Sequence, residues 1–469
     1  MLDSGREIMS TADIRDTLHR SVKLAMDSGE AGTHAEAQQI FEGYRLAIEV
    51  GPDICSSPTK QVALLTAVNV ARRCFLGGIE VAGCTDGSLL VPWHGCRTIA
   101  EAVVDLQGTC VNVCASESPR IVIGDSNGSM ERGDFAVRAT SDGWCGGVIP
   151  LEDNNRLPER QEFTPAGVLA GSLAVSEAFQ FVRGRNVQAG RRSIGLSLWR
   201  PGAENSWLEG HEPGPALEVL PSKAWLIGLG HLGQAYLWTL GFLPYEAPQE
   251  VFLVLQDYDS LVPANDSTSI LTRQAFLGQK KTRAVASWCE RRGFQTRIQE
   301  RRFAANFKVD DEEPHVALCG VDNGEARAAL EDVGFTQVIE AGLGYGTEEF
   351  LAFQMHSFPA VLSACDRWGG QVITQHIERI IEKSAYEALA AEGLEDCGLT
   401  MLAGSSVGAA FVGAMVSSLV VAELLRMTIG GHRYEVIDGD LRGLAHRRAV
   451  ISECVSPPFN PGLTAATRS

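Results

Sequence analysis

The residues able to do chemistry fall in one ordered series. A glycine-rich turn, Gly228-Leu-Gly230-His-Leu-Gly233, is followed by Asp257, Asp259, Asn265, Arg273, Lys281 and the pair Asp322-Asn323. The turn lies between the apolar run Ala224-Trp-Leu-Ile227 and a helical stretch beginning near Gln234, the strand-turn-helix setting that gives the glycine spacing a meaning. Backbone without side chains lets a phosphate come close, and the helix N-terminus adds unpaired N–H groups and a positive dipole end. Asp257 falls 24 residues after Gly233 and ends a second apolar strand, Val251-Phe-Leu-Val-Leu255. A carboxylate there can accept hydrogen bonds from ribose hydroxyls. To this point a NAD-dependent oxidoreductase reads the same way. A nicotinamide site, however, has no need for the polar and basic block Asp257-Tyr-Asp259, Asn265, Arg273-Gln274 and Gly278-Gln-Lys-Lys281 just past the ribose. A triphosphate does: Arg neutralises its charge as a planar fork and Lys as a point charge. Asp322 follows a further apolar strand, His315-Val-Ala-Leu-Cys-Gly320, which predicts a place at a carboxyl end of the sheet. There a carboxylate could hold the Mg2+ that bridges phosphate oxygens.

In order and spacing, the series resembles the superfamily of ThiF, MoeB and the ubiquitin-activating enzymes. Members read GxGxxG, then Asp-x-Asp with an Asn beyond it, Arg-Gln, Gly-x-x-Lys, and Asp-Asn with an Arg shortly after. Here these are Gly228 to Gly233, Asp257-Tyr-Asp259 with Asn265, Arg273-Gln274, Gly278 to Lys281, and Asp322-Asn323 with Arg327. The one departure is Arg273, which lies about five residues further from Asn265 than the family's Asn-Leu-x-Arg spacing places it. The resemblance continues through Asp396-Cys397-Gly-Leu-Thr-Met-Leu-Ala-Gly, a small-residue helix to Ala422-Glu-Leu-Leu-Arg426, and the strand Tyr434-Glu-Val-Ile-Asp438. In ThiF-like members the cysteine at this place captures the activated carrier, which implies Cys397 as a nucleophile. A helix N-terminus favours its thiolate, and the neighbours Glu395 and Asp396 oppose it. MoeB-like members carry a cysteine nearby without a thioester, so a buried structural thiol is the alternative. Cys365, in Ser363-Ala-Cys-Asp-Arg367, is the next candidate.

The resemblance implies a Rossmann-like α/β adenylation domain that takes ATP and Mg2+. Gly228, Gly230, Gly233, Asp257, Asp259, Asn265, Arg273, Lys281, Asp322 and Asn323 would lie at the nucleotide, with Asp322 on the metal. The implied activity is adenylation of the C-terminal carboxylate of a ubiquitin-like protein, followed by thioester formation. A sulfur-carrier protein or a peptide is the alternative substrate. An oxidoreductase, or a noncatalytic scaffold that binds a ubiquitin-like protein, are the readings of another class. A small protein ending in Gly is the implied partner, with a conjugating enzyme as a further one.

Composition fits a large soluble enzyme: 469 residues with 45% apolar content allow two or three sizeable cores. A net charge of -18 disfavours nucleic acid and anionic membrane as partners. The twelve cysteines are scattered, with no C-x-x-C and no signal peptide, which predicts reduced thiols in a cytoplasm and no structural zinc. Residues 398–422 carry no charge at all, a stretch long enough to cross a membrane. Their many Gly, Ser and Ala predict a buried crossing helix instead. His231 reads as a solvated turn residue.

The first 200 residues hold no nucleotide motif, yet their pattern parallels the second half. Helix and strand signals alternate from Gln61 to Ile123, and the small-residue stretch Ala166 to Phe179 closes on Glu177 as Ala414 to Leu425 closes on Glu423. The predicted organisation is an inactive adenylation-like α/β domain over 1–200, a linker over 201–222, an active adenylation domain over 223–456, and a tail over 457–469. Such a fusion would be a pseudo-dimer with one ATP site. Arg72 and Arg73, ending a helix of the first half, are candidates to reach across.

Overall fold

The computed structural model describes residues 11–126, 135–369, 380–454 and 458–467. Seven strands form the first sheet: β1 (Arg45–Val50), β2 (Gly78–Gly83), β3 (Thr109–Cys110), β4 (Arg120–Ile123), β5 (Ala136–Asp142), β6 (Cys145–Pro150) and β7 (Ile194–Ser197). Their order is β3-β2-β1-β4-β5-β6-β7. Pairs from β3 to β5 are parallel, and β5/β6 and β6/β7 are antiparallel.

After β8 (Val219–Pro221), the second sheet comprises β9 (Lys223–Ile227), β10 (Phe252–Gln256), β11 (Gln295–Gln299), β12 (Val316–Cys319), β13 (Gln337–Leu343), β14 (Ala352–Phe358), β15 (Tyr434–Asp440) and β16 (Arg448–Ile451). Its order, β11-β10-β9-β12-β13-β14-β15-β16, repeats the first with one added edge strand. The parallel and antiparallel pairings also correspond. The two halves are therefore one topology used twice, as the sequence pattern predicts. β1 matches β9, β4 matches β12, and the Thr164–Val182 helix matches Ala410–Thr428.

Those two 19-residue helices explain the long uncharged stretches. They are long and apolar enough to cross a membrane by composition, yet 89% and 94% of their most apolar windows are buried inside the protein. Their small residues serve close packing. A Cβ on Gly167 or Gly171 would stand 2.3 Å from the Thr59 carbonyl oxygen or 2.4 Å from that of Ala63, so the helix Pro58–Ala71 can approach only because both positions are glycine. One continuous apolar core runs through both halves. Polar links reinforce it: Trp238 Nε1–H donates to Thr66 Oγ1 at 2.9 Å, and Asn69 Nδ2–H to the Ile270 carbonyl at 3.0 Å.

Two segments differ from the expectation of an exposed linker and a tail. Trp144 draws the linker onto the first half, donating from its backbone N–H to the Pro213 carbonyl at 2.7 Å and from its indole N–H to that of Pro215 at 2.8 Å. The end of the chain returns as β17 (Leu463–Ala465), antiparallel to β8. Composition marks these segments as poor in core residues, but not that β8 leaves an edge for β17 to pair.

Candidate functional site

The sheet of the second half changes direction between β9 and β12: the chain runs outward through β10 and β11, then returns to β12 on the other side of β9. Open α/β sheets bind ligands in the crevice at the carboxyl ends flanking such a point. Gly228 and Asp257 follow directly on strands that end there, and Asp322 comes three residues after the end of β12.

The turn is built by backbone geometry. Gly228 has φ +81°, a left-handed conformation, and a Cβ on Gly233 would lie 1.9 Å from the Gly228 carbonyl oxygen. Gly230 is the N-cap of the helix His231–Gly241, with no side-chain cap, no acid in the first turn, and open space where its Cβ would stand. The first N–H groups of this helix thus have no side-chain cap and no acid in their own turn. Asp257 binds the turn to β10: one carboxylate oxygen accepts from Leu229 N–H at 2.7 Å and the other from Asp259 N–H at 2.9 Å. Lys281, the first residue of the helix Lys281–Glu290, donates to Asp259 at 2.8 Å and lies 4.0 Å from Asp257. Three of the sequence-derived residues, Asp257, Asp259 and Lys281, are thereby joined in one charge and hydrogen-bond array, tied to the glycine turn through Leu229.

Asn265 shapes its own turn, accepting from Val262 N–H at 2.9 Å. Asn323 caps the helix Gly324–Ala328 by accepting from Ala326 N–H at 2.8 Å, and Arg327 pairs with buried Glu340 at 3.0 Å. Asp322 is exposed and makes no hydrogen bond or ion pair among the described residues. Its loop abuts the glycine turn, since a Cβ on Gly228 would meet Val321 at 2.9 Å. Among the described residues no three His, Cys, Asp or Glu converge on a common point. The donor set therefore fits a cation held by one carboxylate together with phosphate oxygens, the usual arrangement for Mg2+.

Arg273 is placed elsewhere. Its guanidinium forms a two-pronged pair with Asp105 of the first half, at 2.8 and 2.6 Å, beside a cavity of about 150 Å³ between the halves. This pair holds Arg273 above and Asp105 below their ordinary pKa ranges. The displaced spacing from Asn265 was the signal. Arg72 pairs with Asp266 at 2.7 Å. Arg73, wholly buried, donates to the carbonyls of Ser269 and Thr272 at 3.3 and 3.2 Å. Both arginines reach the loop after Asn265 and are spent on holding it.

His231 corrects the expectation of a solvated residue. Its ring packs on the crossing helix, where a Cβ on Gly413 would lie 2.4 Å from Nε2, and burial lowers its pKa to about 4. The reason is its place as first residue of a helix whose side chains turn into the interface between two helices. Sequence reading also missed Gln234. Its carboxamide accepts from Leu271 N–H at 2.9 Å and donates to the Leu229 carbonyl at 3.0 Å, fastening the turn to the 266–273 loop. Cys397 is the second residue of the helix Asp396–Ala403, and its side chain lies outside the described set. Cys365, on the short helix Ala364–Trp368, is the one exposed cysteine among those whose side chains are described.

The first half shows what the same scaffold looks like without the motif. By strand register Gly51 stands at the place of Gly228, Cys84 at that of Asp257, and Gly124 at that of Gly320. Asp53 then falls at the place of Gly230, and its carboxylate accepts from Asp125 N–H at 2.7 Å and faces Lys60 at 3.3 Å. Glu162 accepts from Thr59 N–H, in the first turn of the helix Pro58–Ala71, at 2.7 Å. Glu162, with the Ser57 hydroxyl that accepts from Lys60 N–H at 3.2 Å, thus occupies donors of this helix start that a phosphate would need, and Asp53 puts a carboxylate on the neighbouring loop.

Comparison with known proteins agrees with this two-part architecture. Residues 45–198 match a family model described as the BilD N-terminal domain, and residues 220–431 one described as the BilD C-terminal domain. A bacterial E1-like protein BilD from Collimonas sp. (strain OK412) is 43% identical over 450 residues, covering 96% of each chain. The chain belongs to the BilD family of bacterial E1-like proteins. The two family models match the two halves of the duplicated fold. Solved structures matched in part include the E. coli tRNA N6-threonylcarbamoyladenosine dehydratase TcdA, at 11% identity over 45% of this chain and 86% of that one, with a TM-score of 0.29. Another is PaaA, at 11% identity over 64% and 78%, with a TM-score of 0.32.

Proposed function

We propose that this protein uses ATP and Mg2+ to adenylate the C-terminal carboxylate of a ubiquitin-like protein and then takes the acyl group onto Cys397 as a thioester. The observation that carries the reading is the contrast between the halves: the helix after Gly230 has no side-chain cap and no acid in its first turn, beside a turn held by Asp257, while the first turn of its counterpart is capped by Ser57 and Glu162. The E1-like identity of a relative aligned over nearly the whole chain supports the same class.

In this reaction a carrier carboxylate oxygen bonds to the α-phosphorus as the bond from that phosphorus to the pyrophosphate oxygen breaks. The Cys397 thiolate then attacks the acyl carbon, and AMP leaves with the electron pair of the C–O bond. The uncapped N–H groups after Gly230 would receive phosphate oxygens, and Lys281 would offset the charge that grows on the departing pyrophosphate. Asp257 would orient the ribose, with its position already set by Leu229 and Asp259. Asp322 would hold Mg2+, which supplies charge neutralisation between phosphates. Arg273, paired with Asp105, serves in this scheme to join the halves beside the site.

The test is ATP–pyrophosphate exchange with small proteins ending in Gly, comparing the wild type with Asp322→Ala. Exchange that requires both the carrier and Asp322 is expected, with a loss of roughly 10²-fold or more in the variant. Exchange unaffected by the substitution would remove Asp322 from the site. Reduction of a nicotinamide cofactor without exchange would replace the reading altogether.

A further inference from the structure

The helix Arg20–Ser28 lies between the two parts of the chain that the proposed reaction must bring together. Its residues from Ser21 to Asp27 are all buried, which polar composition alone does not foretell. At one end, Arg20 N–H donates to Ser267 Oγ at 3.1 Å, on the turn begun by Asn265. Ser21 Oγ stands 3.1 Å from the Arg73 carbonyl and 3.2 Å from that of Gly408, within donating reach of either. Toward the other end, Asp27 accepts from the Tyr386 hydroxyl at 2.7 Å and pairs through its second oxygen with Lys23. All three are buried: Lys23 0%, Asp27 4% and Tyr386 0% exposed.

Tyr386 belongs to the helix Ser384–Ala391, which leads into Asp396–Ala403, the helix that carries Cys397. The preceding helix Thr11–Thr17 packs against both Asp396–Ala403 and the Asn265 turn. A buried ion pair contributes little net stability, because desolvation offsets its attraction. What a satisfied buried network does provide is a single geometry, since any displacement leaves a charge without a partner. A strut with one end at the Pro263–Ser267 turn, in the loop that Gln234 fastens to the glycine turn, and such a network at the other fixes a distance.

We propose that the Lys23–Asp27–Tyr386 network is a positioning device that holds the Cys397 helix at a set distance from the Pro263–Ser267 turn, and through it from the nucleotide site, so that transfer to the thiol depends on it and adenylation does not. The proposal rests on the adenylation and thioester reading above. Lys23, Asp27 and Tyr386 are positioning residues and touch no reacting atom.

Two variants test it: Tyr386→Phe, which removes one hydroxyl and keeps the ring, and Asp27→Asn, which removes the charge. Carrier-dependent pyrophosphate exchange is expected within about twofold of wild type in both. Single-turnover formation of a reductant-sensitive adduct should fall roughly tenfold or more, because displacements near 1 Å at a reacting centre cost up to 10²-fold. Amide hydrogen exchange should quicken across residues 384–403 and stay unchanged across 223–256. Equal loss of exchange and adduct would show a general support for the nucleotide half and overturn the proposal. So would unaltered hydrogen exchange at 384–403. If the wild type forms adenylate and no adduct, the thioester reading fails by itself, and the hydrogen-exchange comparison still decides whether the network holds the helix.

Discussion

Asp257 is expected to do two jobs that substitution can separate. Replacing it with Ala leaves the buried Leu229 N–H and the half-buried Asp259 N–H without their acceptors at 2.7 and 2.9 Å. An unsatisfied buried donor costs about 1–3 kcal/mol, and the second is partly recovered by water, so a loss of roughly 2–4 kcal/mol in stability is expected. Asp257→Asn keeps one carbonyl oxygen as acceptor and lowers that cost to about 1–2 kcal/mol. Nucleotide affinity should behave differently. A hydrogen bond from a ribose hydroxyl to a carboxylate is worth about 1.5–3 kcal/mol, so both variants should bind ATP roughly ten- to hundredfold more weakly. Urea unfolding followed by fluorescence reads the first quantity, and calorimetric titration of ATP reads the second. If Asp257→Asn retains wild-type ATP affinity while Asp257→Ala loses it, the carboxylate shapes the turn and does not bind the ribose. If neither variant changes affinity, the nucleotide does not lie in this crevice.

Three further outcomes are expected. Cys397→Ala should form adenylate normally and lose the reductant-sensitive adduct, with Cys365→Ala unchanged in both; gel analysis with and without thiol reads it, and the reverse pattern would move the nucleophile to Cys365. Gly413→Ala forces a methyl against His231 Nε2, 2.4 Å from its ideal position, and should lower the urea midpoint by about 1–3 kcal/mol in stability with the slope unchanged. Burial lowers both His19 and His231 from 6.5 to about 4, so between those pH values the unfolded chain binds protons that the folded chain refuses. Their contribution to stability is then intact above about pH 6.5 and is lost as pH falls toward 4, roughly 2 kcal/mol for each ring by pH 5. Urea midpoints at pH 7 and 5 should differ less in a variant with both histidines replaced by glutamine.

Much of the site is legible in the chain because it is made of short-range geometry. Gly228, Gly230 and Gly233 lie within six residues of one another, and what they do is set by their own backbone and by the helix that follows. Asp257 is readable because a strand carries it to the end of the sheet where the turn lies, and the parallel pairing of β9 with β10 puts Ile227 beside Gln256. The repeat of the fold was visible in the small-residue helices, since close crossing demands glycine and alanine whichever half performs it. Arg273 was less legible. Its residue type suits phosphate, and only the presence of Asp105 on another domain shows where its charge is spent.

By itself, the sequence determined the alternation of strands and helices and the place of the glycine turn, because these depend on local periodicity and on backbone conformations reserved to glycine. The tertiary structure added how the helix start of the first half is occupied. Glu162 looks like an ordinary surface residue in the chain, and becomes an obstacle only when folding brings it to the Thr59 N–H, 103 residues earlier in the chain. The same holds for the N-terminal helix, whose Lys23 and Asp27 meet Tyr386 across 359 residues. Partners that distant are chosen by packing, and no local pattern encodes them.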